Sequence, residues 1–135
     1  MSKERAIEHR PYWKSVDFAA IEAAGDNKPS DHRLADVSSG SAQSRYSYKI
    51  KKAGTMNPPD GSFHAHKWEQ SFYVLSGTMM FQIEGEEPCQ LVPGDFVVTP
   101  PGVPHRNWNT EGTEDCIHLS INTPQLVVNS EEGRV

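Results

Sequence analysis

The sequence predicts an all-β fold, a sandwich or small barrel of many short strands, and three observations carry that expectation. From residue 45 onward, apolar residues either alternate with polar ones or gather in short runs. Gly and Pro turns separate these runs at intervals of roughly 8 to 12 residues. Helical periodicity is confined to one short stretch near the N-terminus. With 135 residues, the chain can bury one core and form one domain, so a single fold carries the function.

Residues 1–16 hold Tyr12 and Trp13 after Pro11 without clear periodicity, an arm suited to packing over a barrel or against a partner subunit. The run from Asp17 to Gly25 reads as a short helix, with Asp17 as N-cap, Phe18, Ile21 and Ala24 on one face and Gly25 as the stop. Residues 26–44, rich in Asp, Ser, Gly and Asn, read as loop with one short strand near 34–37, and any lid would come from here. Tyr46, Tyr48 and Ile50 then alternate with Arg45, Ser47 and Lys49, which predicts a strand that buries its apolar set. A turn at 57–61 leads to His64 and on to Phe72, Tyr73, Val74 and Leu75, a composition suited to a strand covered on both faces.

Ser76 and Gly77 end that strand, and 78–83 joins 89–92 through the turn at 84–88 as a hairpin. Residues 96–99 form a short apolar strand stopped by Pro100, Pro101 and Gly102. Strands at 105–109 and 116–121 follow, separated by a polar loop. Beyond Pro124 only Leu126, Val127 and Val128 suit pairing, and 129–135 reads as a frayed tail. The expected organisation is an N-terminal arm and short helix over 1–44, a β-barrel over 45–128 and a flexible tail over 129–135.

A formal charge of −5 and a pI near 5.6, with Lys and Arg dispersed, exclude a nucleic-acid footprint. Residues 1–10 lack the apolar run of a signal peptide, and no apolar stretch is long enough to cross a bilayer. A cytoplasmic protein with no membrane partner is expected. Cys89 and Cys116 are the only cysteines and show no CxxC spacing, which fits free, half-buried strand residues in a reducing compartment.

The chemistry concentrates between Gly61 and Asn109. His64 and His66 are two residues apart, so in an extended segment both imidazoles project from one face together with Gln70, while Glu69 points away. A Pro-Gly turn directly before His105 sets where a third imidazole enters the next strand. Neighbouring strands lie about 4.8 Å apart, so three imidazoles and an amide oxygen can meet inside a small barrel. These ligand types suit one divalent transition metal, with zinc, iron, nickel, copper and manganese all left open; calcium or magnesium would want more carboxylates.

Here the residues carry a family resemblance. His64-x-His66-x3-Gln70-x6-Gly77 resembles the first cupin motif, and Gly94-x5-Pro100-x-Gly102-x2-His105-x3-Asn109 matches the second at every fixed position. The resemblance implies a double-stranded β-helix, or jelly-roll, barrel, a homodimer, and a metal in the barrel mouth held by His64, His66, the residue at the acid position and His105. That acid position is Gln70 in this chain. Parity favours Gln70 over Glu69 as the fourth ligand, although a bulge at 67–69 would reverse the choice. A neutral amide leaves the ion its full double charge and makes it a stronger Lewis acid. The Gln form is similar to small cupins that ketonise unsaturated uronates and to some cupin polyketide cyclases.

Of the remaining candidates, His118 has a ring suited to proton transfer near neutral pH. Its parity opposes Ile117 and Leu119 and directs it either to the pocket or to solvent. Arg45, Tyr46 and Tyr48 suit contact with an anionic or aromatic substrate, or core packing for the tyrosines. Met79, Met80 and Phe81 suit the core or a pocket wall. Asn107 and Asn109 share His105's parity and suit support of the site or a turn. The leading functional expectation is a metal-dependent enzyme that polarises and enolises the carbonyl of a small-molecule substrate, of cyclase or isomerase type. Two alternatives stand beside it: an iron-dependent dioxygenase, and a barrel that binds a small molecule without turning it over.

Overall fold

The computed structural model describes residues 10–124; the expected strand near 126–128 and the tail lie outside them. Helix α1 (Phe18–Ala24) forms where expected: the Asp17 carboxylate accepts the Ala20 N–H at 3.0 Å, and Gly25 closes it at φ 56°.

Among the described residues, nine strands form two antiparallel sheets. β1 (Asp31–Ala35), β2 (Arg45–Lys51), β4 (Glu69–Ser76), β7 (Phe96–Thr99) and β9 (Cys116–Thr123) make a five-stranded sheet in the order β1-β2-β9-β4-β7. β3 (Met56–Asn57), β5 (Met79–Ile83), β6 (Cys89–Leu91) and β8 (His105–Trp108) make the other in the order β3-β8-β5-β6. The arrangement is that of a jelly-roll barrel. Phe72, Val74, Met79, Phe81, Leu91 and Cys116 form an apolar core. Phe72 of one sheet meets Phe81 of the other edge to face, centroids 5.6 Å apart.

Several expectations are corrected. The first strand lies at 31–35 rather than 34–37, because the Asp36 carboxylate accepts the Ser38 N–H at 2.9 Å and its hydroxyl at 2.5 Å, folding the chain into a turn. On β2 the expectation holds at Ile50, which is buried, and is reversed before it: Arg45 and Ser47 are buried, whereas Tyr46 is 39% exposed and Tyr48 packs under Phe18 of α1, centroids 5.8 Å apart. The physical reason is that the lumen beside the first half of the strand is polar, so alternation points Tyr46 and Tyr48 outward. β4 is covered on one face only, since Tyr73 and Leu75 are exposed. Neither cysteine is half-buried: Cys116 is wholly enclosed, its thiol pushed up to about 11 by burial, and Cys89 is exposed.

Asn109 fastens a loop by donating from Nδ2 to the Lys51 carbonyl at 3.1 Å and the Glu114 carbonyl at 2.9 Å. Gly77 has no room for a side chain. Its φ is 70°, and a Cβ there would stand 2.3 Å from the Asp115 carbonyl oxygen. Gly77→Ala is expected to cost at least about 2 kcal/mol in urea unfolding. Gly85→Ala, with φ 92° in open space, should cost about 1 kcal/mol; equal losses would contradict the steric account.

Candidate metal centre

The two histidine-bearing runs are joined by main chain before any side chain meets. His64 N–H donates to the His105 carbonyl at 3.0 Å, and His105 N–H returns to the His64 carbonyl at 2.8 Å. Two residues on, Gly102 N–H donates to the His66 carbonyl at 2.8 Å. The extended backbone of residues 64–66 then turns both imidazoles into the lumen. The ligand atoms of His64, His66 and His105 all lie within 4.8 Å of one another, and all three residues are buried.

Aromatic neighbours set the ring planes. Trp68 lies parallel to His66, centroids 5.0 Å apart and planes 5° from parallel, and the Arg45 guanidinium sits 5.7 Å over Trp68. Phe81 stacks on His105 at 5.6 Å. The sequence offered no signal for Trp68 in this role except that it shares parity with His64 and His66.

Gln70 is inward on β4 and half-buried, while Glu69 is exposed on the other face. Gln70 Oε1 stands 3.2 Å from His105 Nε2. The Val103 carbonyl, which can only accept, lies 3.0 Å from His105 Nδ1 and so claims a proton there. Burial lowers the His105 pKa and favours the neutral ring, so Nε2 presents a lone pair to the Oε1 lone pair. A cation held by both atoms satisfies that contact, and so does turning the amide end for end. The donor set of three imidazoles and an amide oxygen is compatible with a divalent transition metal.

Across the five-stranded sheet the inward residues fall into rows. Arg45, Asn122, Gln70 and Thr99 form one; Ser47, Ser120, Phe72 and Val97 the next; Lys49, His118 and Val74 the third; Lys51 and Cys116 the last. His118 therefore faces the lumen, its ring 4.2 Å from Phe72. It lies outside the three-histidine cluster and lines, with Gln70, Phe72 and Asn107, a cavity of about 480 Å³. Burial is the main force pushing its pKa down to about 4, and Lys49 and Lys51 add to it. The buried hydroxyls of Thr99 and Ser120 and the Asn122 Oδ1 have no hydrogen-bond partner among the described residues, which fits a lumen built for a polar occupant. Parity with Arg45 is the sequence signal for the inward lysines, and it conflicts with burial of Tyr46 and Tyr48.

A family model described as Cupin domain matches residues 53–122. Over 43 residues, 32% of this chain and 21% of the relative, the sequence is 44% identical to dimethylsulfoniopropionate lyase DddQ of Ruegeria pomeroyi. The crystal structure of that lyase superposes with TM-score 0.56 and 26% identity, over 78% of this chain and 46% of the other. A cupin-like protein of Thermotoga maritima superposes with TM-score 0.59 and 23% identity, over 70% of this chain and 67% of the other. A Thermus thermophilus protein gives TM-score 0.61 and 20% identity, over 82% and 97%. The chain thus spans less than half of the lyase it matches. Among the described residues, no helix is long and apolar enough to cross a membrane.

The low pKa of His118 has a thermodynamic consequence. A folded value near 4 against an ordinary 6.5 means that the unfolded chain binds the proton more readily, so stability is present above pH 6.5 and falls as pH drops from there towards 4. The size is about 3 kcal/mol. Urea unfolding of chelated protein at stepped pH should show His118→Gln losing less stability than wild type across that window; parallel curves would contradict the assignment.

Proposed function

The chain belongs to the cupin domain family, whose model matches just over half of it, and from that premise we propose that it is a divalent-metal-dependent enzyme that enolises a small carbonyl or carboxyl substrate. The observation that carries this reading is the meeting of three buried imidazoles with the amide oxygen of Gln70. His64, His66, Gln70 and His105 would hold the ion. Bound there, a divalent ion supplies Lewis-acid polarisation of a substrate oxygen.

The remaining work falls to the chain's own residues. Gln70 contributes a neutral donor, so no carboxylate cancels the positive charge at the site. His118, neutral at pH 7 and lining the cavity, takes the substrate proton. Its Nδ1 lies 3.5 Å from the Leu119 carbonyl, an orientation that leaves Nε2 as the accepting atom. The binding of a negative substrate beside His118 would raise its proton affinity toward the working pH. The same proton abstraction begins an isomerisation, a cyclisation or an elimination, and the similarity to a lyase favours including the last.

A homodimer fits this reading. The outward rows Tyr46, Ile121, Ser71, Val98 and Tyr48, Leu119, Tyr73, Phe96 carry no charged side chain, so a second copy of a chain with net charge −5 can approach there with little repulsion. Sedimentation at micromolar concentration should give a dimer that Phe96→Lys converts to monomer; a wild-type monomer would overturn it.

Turnover provides the main test. Metal-loaded protein in D2O, supplied with dimethylsulfoniopropionate and a panel of small keto acids, should exchange or eliminate a carbon-bound proton equally well without oxygen, as read by NMR. His64→Ala should abolish both the reaction and the bound metal. Gln70→Glu should keep the metal and slow the reaction by about tenfold or more. Strict oxygen dependence would favour the dioxygenase alternative, and tight binding with unchanged ligand the non-catalytic one.

A further inference from the structure

The charge around the cavity is opposite to that of the chain. Lys28, Lys49, Lys51 and Lys52 all line it, and no Asp or Glu does among the described residues, although the whole chain carries −5. Two of these lysines are already matched: Lys28 pairs with Asp115 at 2.5 Å and Lys49 with Asp31 at 3.1 Å. Lys51 has neither an ion pair nor a side-chain hydrogen bond among the described residues. It occupies the last inward position of β2, opposite the wholly buried Cys116.

We propose that this end of the cavity is an anion subsite in which Lys51 pairs with a carboxylate of the substrate and directs the substrate's reacting end toward His118 and Gln70. The proposal names a substrate class for the reading above and rests on it only for what lies at the reacting end. Removing water from an unmatched ammonium is unfavourable, and a bound counter-ion offsets that cost. Burial beside Lys49 already lowers the Lys51 pKa to about 8, as expected of a cation lacking its partner. Lys49 is the cross-strand partner of His118, and Lys51 lies two residues further, about 7 Å along the strand. A short organic acid spans that interval. Phosphate fits the lining less well, because neither an Arg fork nor a Gly turn contributes to it.

The test titrates succinate and, separately, inorganic phosphate into the protein at pH 7 by calorimetry, as purified and after chelation of metal. Succinate should bind saturably in both states and more tightly than phosphate. Lys51→Met and Lys51→Gln should each weaken it by about tenfold or more, with Lys51→Arg largely retaining it. Neither neutral variant should melt below wild type, since an unmatched, partly buried charge is being removed. Unchanged succinate binding in both neutral variants would overturn the proposal, as would tighter binding of phosphate. A protein that holds no metal yet binds succinate through Lys51 would support the subsite while overturning the metal-dependent reading.

Discussion

The site depends on the reciprocal pair of backbone hydrogen bonds between His64 and His105. These residues are 41 positions apart, and only antiparallel pairing of their main chains sets the two side chains next to each other on one face. The Pro-Pro-Gly turn contributes at the same place, because Gly102, at φ 78°, directs its N–H to the His66 carbonyl. Three imidazoles are thereby positioned by main chain, with Trp68 and Phe81 setting two of the ring planes. Preorganisation of this kind means that little conformational entropy remains to be lost when a ligand arrives.

The lumen is divided by strand rather than by row. Phe72 and Val74 of β4 meet Met79 and Phe81 of β5 in apolar contact, while the inward positions of β2, and those of β9 apart from Cys116, carry an arginine, hydroxyls, an amide, an imidazole and lysines. A barrel this small cannot have two independent cores, so the polar region is supported by the apolar one next to it. Val74, in the same row as Lys49 and His118, shows the two regions side by side.

This division explains what the sequence disclosed and what it hid. The positions of β2 and of the strands from β4 onward, the turns at Gly77 and Gly102, the short helix and the convergence of His64, His66 and His105 are legible, because each rests on local rules or on motif spacing, whereas β1 lies three residues earlier than its apolar residues suggest and the two-residue β3 overlaps the expected turn. The direction of β2 is not legible. Alternation identifies two faces without saying which is inside, and Tyr46 and Tyr48 drew the inference toward an apolar interior. The same ambiguity left His118 undecided and concealed Lys49 and Lys51. Their orientation follows from the pairing of β2 with β9, a long-range fact that no window of the sequence contains. Trp68 lies between two motif positions, and motif spacing does not register it because its contribution is stacking.

The parallel stacking of Trp68 on His66 gives the protein an optical property of its own. Indole emission responds to the charge and polarisability of whatever touches its face, and here that neighbour is one of the three clustered imidazoles. Of the three tryptophans, Trp13 is largely solvated, Trp108 is half-buried beneath Arg106, and Trp68 is enclosed. A change in emission on occupancy of the histidine cluster is therefore expected from Trp68, which would give the barrel an intrinsic, label-free readout of its centre.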